Sequence, residues 1–527
     1  MSRAILSVNA GSSSVKVTIY RFEIPPVKLA SAQVAGLTAP PCTFKNAQGV
    51  NREKNEEILE GISSPQEAFK YLLDHFVNDP DLKEVASKDD FAYICHRVVH
   101  GGDFETEAVI TEDAYDYLQA LKSLAPLHNT ASLDIINICL REIPKAKTVA
   151  YFDSTFHQSM PDYVKVYPIN PEKAKENLLR KYGFHGISYS FITRSVAEFF
   201  KQPIESTSII ALHLGSGASV CAIRNGKSID TSMGLTPLAG LPGATRSGDI
   251  DPSLVFHYTS KAGNLSPEST KDMHISTAER ILNKQSGWKS LTGTTDFSQI
   301  ATETPLTDQH RLAFEIFIDR IVGFIGNYVV KLDGHVDALV FAGGIGEKSA
   351  LLRKKVVERC RCLGFVIDQE VNGKGLGDEG IVVTDISQKL EGGQRREKRP
   401  RVLICQTDEE VCTREEYPVY LDPYLFPPAI PDFVMIAIDC LFLVLRVHDF
   451  TLNYHKITDE LANSSKWRTT APIQGPDVSN CFQVRKCNEM KYLSNKPRFY
   501  MLRSDAHELK FKDLFNFRVL DDKRLAL

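Results

Sequence analysis

The sequence predicts a two-lobed α/β protein with a duplicated core and an unassigned C-terminal tail. Three observations predict it. Strand-like runs, glycine turns and amphipathic helices alternate through residues 1–412, which indicates α/β layers. Ser7–Tyr20 (SVNAGSSSVKVTIY) is echoed by Leu212–Gly226 (LHLGSGASVCAIRNG), each a strand, a small-residue turn and a second strand. Two such hairpins suggest duplicated lobes with a cleft between them. Finally, 527 residues with 43% hydrophobic and 24% charged side chains suffice for two or three globular domains.

The elements follow in order. Ala4–Val8 and Val15–Tyr20 read as strands around Asn9-Ala10-Gly11-Ser12-Ser13-Ser14. Serine hydroxyls and exposed amides in that turn can cradle phosphate oxygens, and Lys16 adds a point charge. An ordinary serine-rich hairpin would look the same, and the turn is not a P-loop, which needs a following helix. His96-Arg97-Val98-Val99-His100-Gly101-Gly102 sets an arginine between two histidines. A zinc pair at His96 and His100 would need a helix, which the valines and glycines oppose. Asp153–His157 reads DSTFH and Tyr182–Ser188 reads YGFHGIS. Ile209–Leu214 is a strand, and Asn225-Gly226 marks a tight hairpin turn. Thr231–Pro252 holds Arg246 among glycines and small residues, a setting suited to clamping a carboxylate or phosphoryl group. Arg311–Lys331 is an amphipathic helix, and Ala338–Phe341 a strand. Gly343-Gly344-Ile345-Gly346-Glu347 then forms a turn before a helix expected over Lys348–Cys360. Such a turn admits a nucleotide, although close helix packing also selects glycine.

Composition narrows the function classes. A net charge of -4 argues against a general binder of nucleic acid or anionic membranes. The 11 cysteines lack metal-type spacing and fit reduced thiols in a cytoplasmic protein. Phe433–Leu445 is the longest apolar run and is too short to span a bilayer.

Taken in order, VNAGSSSVK, HRVVHGG, PLHN, FDSTFH, YGFHGIS, HLGSGAS, DTSMGLTPLAG, TRSGDIDP, FAGGIGE and TDEE closely resemble the acetate kinase family over residues 3–412. The resemblance implies the actin-like, ribonuclease H-like ATPase fold. Its lobes would span 1–152 and 153–412, with the nucleotide site in the second. It implies ATP-dependent phosphorylation of acetate to acetyl phosphate and ADP by direct in-line transfer, with Mg2+ or Mn2+, in a cytoplasmic homodimer. By match to the family's motifs, Asn9 and Glu409 serve the metal, and Ser12, Ser14 and Lys16 the phosphates. Arg97 meets the substrate, and Asp153, His185 and Arg246 carry the chemistry, Asp153 by orienting an arginine or the bound metal. Val99, Leu127, Phe184 and Pro237 enclose the acyl group. The nucleotide segments match His213-Leu214-Gly215-Ser216-Gly217, Asp296-Phe297-Ser298 and Gly344-Ile345-Gly346-Glu347-Lys348. Tyr189, Ser216, Ser298 and Lys348 depart from the residues usual in that family, Tyr189 standing in place of a histidine. Kinases for propionate or butyrate, and a non-catalytic nucleotide-binding module, are the competing readings. After Cys412 the pattern is lost, and residues 413–527 fit a frame or splice change in the gene better than a new domain.

Overall fold

Strand β1 (Ala4–Ala10) and strand β2 (Ser14–Arg21) pair antiparallel, with Asn9 opposite Lys16. Gly11 N–H donates to the Ser14 carbonyl at 2.9 Å and closes the turn between them. This computed structural model describes residues 4–407, apart from 12, 24–25, 38–40, 49–54, 125, 270–273, 378–380 and 389–398. Contacts divide the chain into Met1–Leu425 and Phe426–Leu527. Ser12, Glu409 and the expected tail lie outside the described residues.

The first sheet continues with β3 (Val27–Ala35), β4 (Cys42–Gln48), β5 (Asn55–Leu59), β6 (Phe91–Val98), β7 (Ala108–Val109) and β8 (Lys147–Phe152). The second comprises β9 (Ile209–Leu214), β10 (Ala218–Arg224), β11 (Lys227–Thr231), β12 (Ala338–Ala342), β13 (Val383–Asp385) and β14 (Arg401–Cys405). Their orders are β5-β4-β3-β2-β1-β6-β8-β7 and β11-β10-β9-β12-β14-β13. From β3 to β7 and from β11 to β13 the order and strand senses coincide. In both, the hairpin strands are antiparallel, the next two junctions parallel, and the last antiparallel. The sequence echo between the two hairpins is therefore a structural duplication. At Asn225 and Gly226 the φ angles of 53° and 74° give the tight turn their side chains favour.

The helix Gly186–Phe200 lies against both sheets. Its Ile187, Tyr189, Ile192 and Val196 share one apolar cluster with Tyr93 and Tyr151 of the first sheet and Ile209 and Val340 of the second. A residue at its N-terminus is thus placed where the two halves meet. The helix Asp308–Lys331 packs Phe314, Phe317, Ile321 and Ile325 under the second sheet. It starts one turn before the expected Arg311, because the Thr307 side chain caps it. No helix among the described residues is long and apolar enough to cross a membrane.

The glycine turn after β12 differs from expectation. Gly343–Lys348 is itself a short helix, and Ser349 caps a second one, Ala350–Arg359. The sequence suggests one helix from Lys348, but the Ser349 hydroxyl breaks it by accepting from Leu352 N–H.

Candidate active site

Parallel strands end on one edge of each sheet, and ligands gather outside such carboxyl ends. On the first sheet that edge carries Asn9, Arg97 and Asp153. Asn9 of β1 is in register with Arg97 of β6, and Asp153 directly follows β8. Arg97 donates to both carboxylate oxygens of Asp153, Nε to Oδ1 at 3.1 Å and Nη2 to Oδ2 at 2.8 Å. Asp153 is 1% exposed, so it is a buried anion matched by a bidentate guanidinium. Its backbone carbonyl accepts from Gly186 N–H at 2.8 Å, which brings His185 alongside.

His185 sits at the start of the central helix with φ 61° and ψ 20°. A non-glycine residue in this left-handed region is a strained position, which surrounding bonds must hold. His157 supplies one of them. Its Nε2 lies 2.9 Å from the Phe184 carbonyl, which can only accept, so Nε2 carries the proton. Its Nδ1 then accepts from the Ser228 hydroxyl at 2.8 Å. Burial pushes His157 down to about 4, which keeps this tautomer neutral. Gly183 (φ 79°) leaves no room for a β-carbon, which would come within 2.8 Å of the His157 ring.

From the second sheet, the turn between β9 and β10 carries Gly215, Ser216 and Gly217. It is tied to the Arg246 loop by Ala244 N–H donating to the Ser216 carbonyl at 2.9 Å. A β-carbon on Gly217 would lie 2.7 Å from Arg246 Nη1 and 3.9 Å from His185 Nε2, so these three groups converge. Arg246 has one long contact, to the Pro237 carbonyl at 3.5 Å, and no carboxylate partner among the described residues. Burial, and Arg97 nearby, lower its guanidinium to about 10. The His185 imidazole is held well below its ordinary value by burial, then by His213, Arg97 and Arg246. The His185 and His213 ring centres are 4.2 Å apart, and His213 Nδ1 meets the Ser188 hydroxyl at 2.8 Å. Two cations and a neutral imidazole therefore face one place, a setting for an anion.

Beside it, Tyr182, Phe184 and Met233 form a small apolar cluster against which Val99 and Leu235 pack. His100 closes its rim, with its ring 4.4 Å from that of Tyr182. Asn129 fixes His100 through both backbone groups, each bond 2.9 Å. Pro237 is buried, with its carbonyl 3.5 Å from Arg246 Nη1, whereas the Leu127 side chain is outside the described residues.

The nucleotide segments are placed unevenly. Gly343 (φ 73°) presses on Leu214, where a β-carbon would lie 2.7 Å from the carbonyl oxygen, Gly346 is in ordinary contact with Phe341 and Leu214, and Gly344 faces open space, since a β-carbon there would meet nothing within 4 Å. Glu347 accepts from Thr407 N–H and hydroxyl at 3.1 and 2.9 Å, tying this helix to the end of β14. Ile345 packs against the second-sheet core, and Lys348 ends the short helix. The turn at Asp296–Ser298 makes local bonds, with Asp296 accepting from Ser298 N–H at 2.9 Å, and Phe297 is committed to the core with Trp288 and Phe317. Ser14 and Lys16 begin β2 rather than a free loop.

Sequence reasoning left several supports unassigned. Asn129 was legible as part of PLHN but without a role, and Ser219 lay unmarked in β10. Arg353 gave no signal within a basic helix. It is fully buried and donates to the Gly346 and Glu347 carbonyls at 2.8 Å, clamping the short helix from below.

The acetokinase family profile matches residues 4–412. A probable acetate kinase of Emericella nidulans is 65% identical over 408 residues, covering 77% of this chain and 96% of that one. Acetate kinase 1 of Vibrio parahaemolyticus is 36% identical, with coverages of 79% and 98%. Among solved structures, the acetate kinase of Porphyromonas gingivalis aligns with a TM-score of 0.66 at 30% identity, covering 80% of this chain and 100% of that one. The propionate kinase of Francisella tularensis aligns with a TM-score of 0.66 at 34% identity, covering 79% and 98%. With the duplicated actin-like ATPase fold and this array of motifs, the chain belongs to the acetokinase family and is a kinase of the acetate kinase type.

Proposed function

We propose that the chain catalyses reversible, direct transfer of the γ-phosphoryl group between ATP and acetate. A carboxylate oxygen of acetate forms the new bond to γ-phosphorus, and the bond to the β–γ bridging oxygen breaks, releasing ADP. Acetate is already ionised at neutral pH, so no base is needed. The demand is for positioning and for charge on the equatorial oxygens. The observation that carries this reading is Arg246, a cation with no carboxylate partner among the described residues, converging with His185 on the Gly217 turn.

In this reading Arg97 and Arg246 bind the acetate carboxylate and the transferring group. Asp153 orients Arg97, and His185 donates from Nε2 to an equatorial oxygen. Val99, Phe184 and Pro237, with Leu127, enclose the methyl group. The turns at 213–217 and 344–348 take the nucleotide. Asn9, a single amide beside Arg97, suits Mg2+ held mainly by phosphate oxygens and water rather than by a protein cage. That ion would neutralise phosphate charge. The family also suggests a cytoplasmic homodimer, which size-exclusion chromatography with light scattering would check.

Trapping the acyl phosphate with hydroxylamine, across acids and phosphoryl donors, tests the reading. Acetate with ATP should give the most hydroxamate. Preference for propionate would favour the second reading, which the similarity to the Francisella tularensis propionate kinase supports.

A further inference from the structure

Three side chains run from the core toward the reaction site. Tyr189 is fully buried, one turn into the central helix, and its hydroxyl lies 2.6 Å from Ser219 Oγ. Ser219, in β10 and equally buried, lies 2.8 Å from His185 Nδ1. The opposite ring nitrogen, Nε2, faces the Gly217 turn and Arg246.

Counting protons gives this relay a direction. Tyr189 has one proton, and Ser219 is its acceptor. Ser219 also has one proton, which goes to His185 Nδ1. A ring nitrogen that accepts carries no proton, so in the neutral imidazole the proton is on Nε2. The reverse direction would leave the phenol O–H without an acceptor among the described residues, in a fully buried place, which native structures avoid. Burial, His213, Arg97, Arg246 and His157 all disfavour a second ring proton on His185, and the nearby Asp153 carboxylate is matched by both guanidinium bonds from Arg97.

We propose that Tyr189 and Ser219 are positioning residues whose hydroxyls hold His185 in the neutral Nε2–H tautomer, aimed at the transferring phosphoryl group. The role of Nε2 rests on the acetate kinase reading, whereas the tautomer does not. The relay makes His185 a hydrogen-bond donor without charge. The positive side-chain charge beside His185 then comes from Arg97 and Arg246.

Nitrogen NMR of the full chain, labelled with 15N-histidine and assigned with His185→Gln, reads the tautomer directly. At pH 7 the expected result is an unprotonated Nδ1 and a protonated Nε2. A proton on Nδ1 of His185 would overturn the proposal. In kinetics, Ser219→Ala should lower kcat by about 10- to 100-fold and Tyr189→Phe by about threefold to tenfold, with both KM values within about twofold. The double variant should be no slower than Ser219→Ala alone, because both act through one path. Unchanged kcat in both single variants, or an additive double variant, also overturns it. If the wild-type chain forms no acyl phosphate, the functional reading fails, and the NMR result still decides the relay.

Discussion

The two sheets share one strand order yet end in different chemistry. At the carboxyl ends of β1, β6 and β8, the first sheet presents Asn9, Arg97 and Asp153. At the equivalent ends of β9, β12 and β14, the second presents His213 before Gly215, Gly343 before a helix, and Thr407 tied to Glu347. One edge offers charged side chains, and the other offers backbone and space. Duplication supplied the frame twice, and side-chain volume divided the labour. Charge suits the reacting carboxylate and phosphoryl group, and bare backbone suits a bulky nucleotide.

The sharpest way to break this comparison is to remove charge. Arg97→Ala and Arg246→Ala should each fold and each lose two to four decades of kcat, or about 3–5 kcal/mol of transition-state stabilisation. Arg246→Ala is the cleaner variant, since Arg246 has no carboxylate partner among the described residues to leave behind. Near-normal turnover in purified Arg97→Ala would mean that the charged edge is not where transfer occurs, and in Arg246→Ala that the loop beside the Gly217 turn takes no part in it.

Acid should act next most strongly, through buried histidines. Burial lowers His96 to about 3 and His100 and His157 to about 4. The unfolded chain takes up these protons near the ordinary value of about 6.5, before the folded chain does. Stability is therefore complete above that value and declines as pH falls from there toward about 4, by about 1.4 kcal/mol per pH unit for each histidine. Tm should be level from pH 7 to 8 and drop steeply below 6. A level profile down to pH 5 would show that these rings are not held neutral.

Two adjacent glycines probe the edge proposed for the nucleotide. A β-carbon on Gly343 would meet Leu214 backbone at 2.7 Å, at φ 73°, whereas one on Gly344 meets nothing within 4 Å. Gly343→Ala should cost about 1–3 kcal/mol of stability, read as a lowered Tm. Gly344→Ala should keep the Tm and raise KM for ATP severalfold. The reverse pattern would exchange their roles.

Legibility in the sequence followed the same division. The hairpins could be read, because small-residue turns between β-branched runs are local signals, and Ile209–Leu214 forms with the expected bounds. Arg97, Asp153, His185 and Arg246 stand in distinctive motifs. The supports behind them could not be read. Ser219 and Tyr189 are ordinary residues of a strand and a helix, and their meeting depends on how that helix packs on the second sheet. Glu347 reads as a nucleotide contact, yet it accepts from the N–H and the hydroxyl of Thr407, a pairing 60 residues apart. The break at Ser349 is hidden in the sequence because a single serine cap outweighs the helical pattern around it.

The smallest effect tests the apolar wall that adjoins the charged edge. Val99 packs against Tyr182, Phe184 and Met233, the cluster that encloses the methyl group in the proposed reading. Val99→Ala removes two methyl groups from that wall without touching Arg97 or Asp153. A methylene in an apolar pocket is worth about 1–3 kcal/mol of discrimination, and partial collapse of the gap will return the lower end. The ratio of kcat/KM for propionate over acetate should rise by about tenfold, with kcat for acetate changed little. Competition between the two acids in one hydroxamate assay measures that ratio without absolute rates. An unchanged ratio would remove Val99 from the acyl wall and move the size limit to Phe184 or Pro237. A rise in the ratio would join the two acids of the family in one site, separated by the volume of a single side chain.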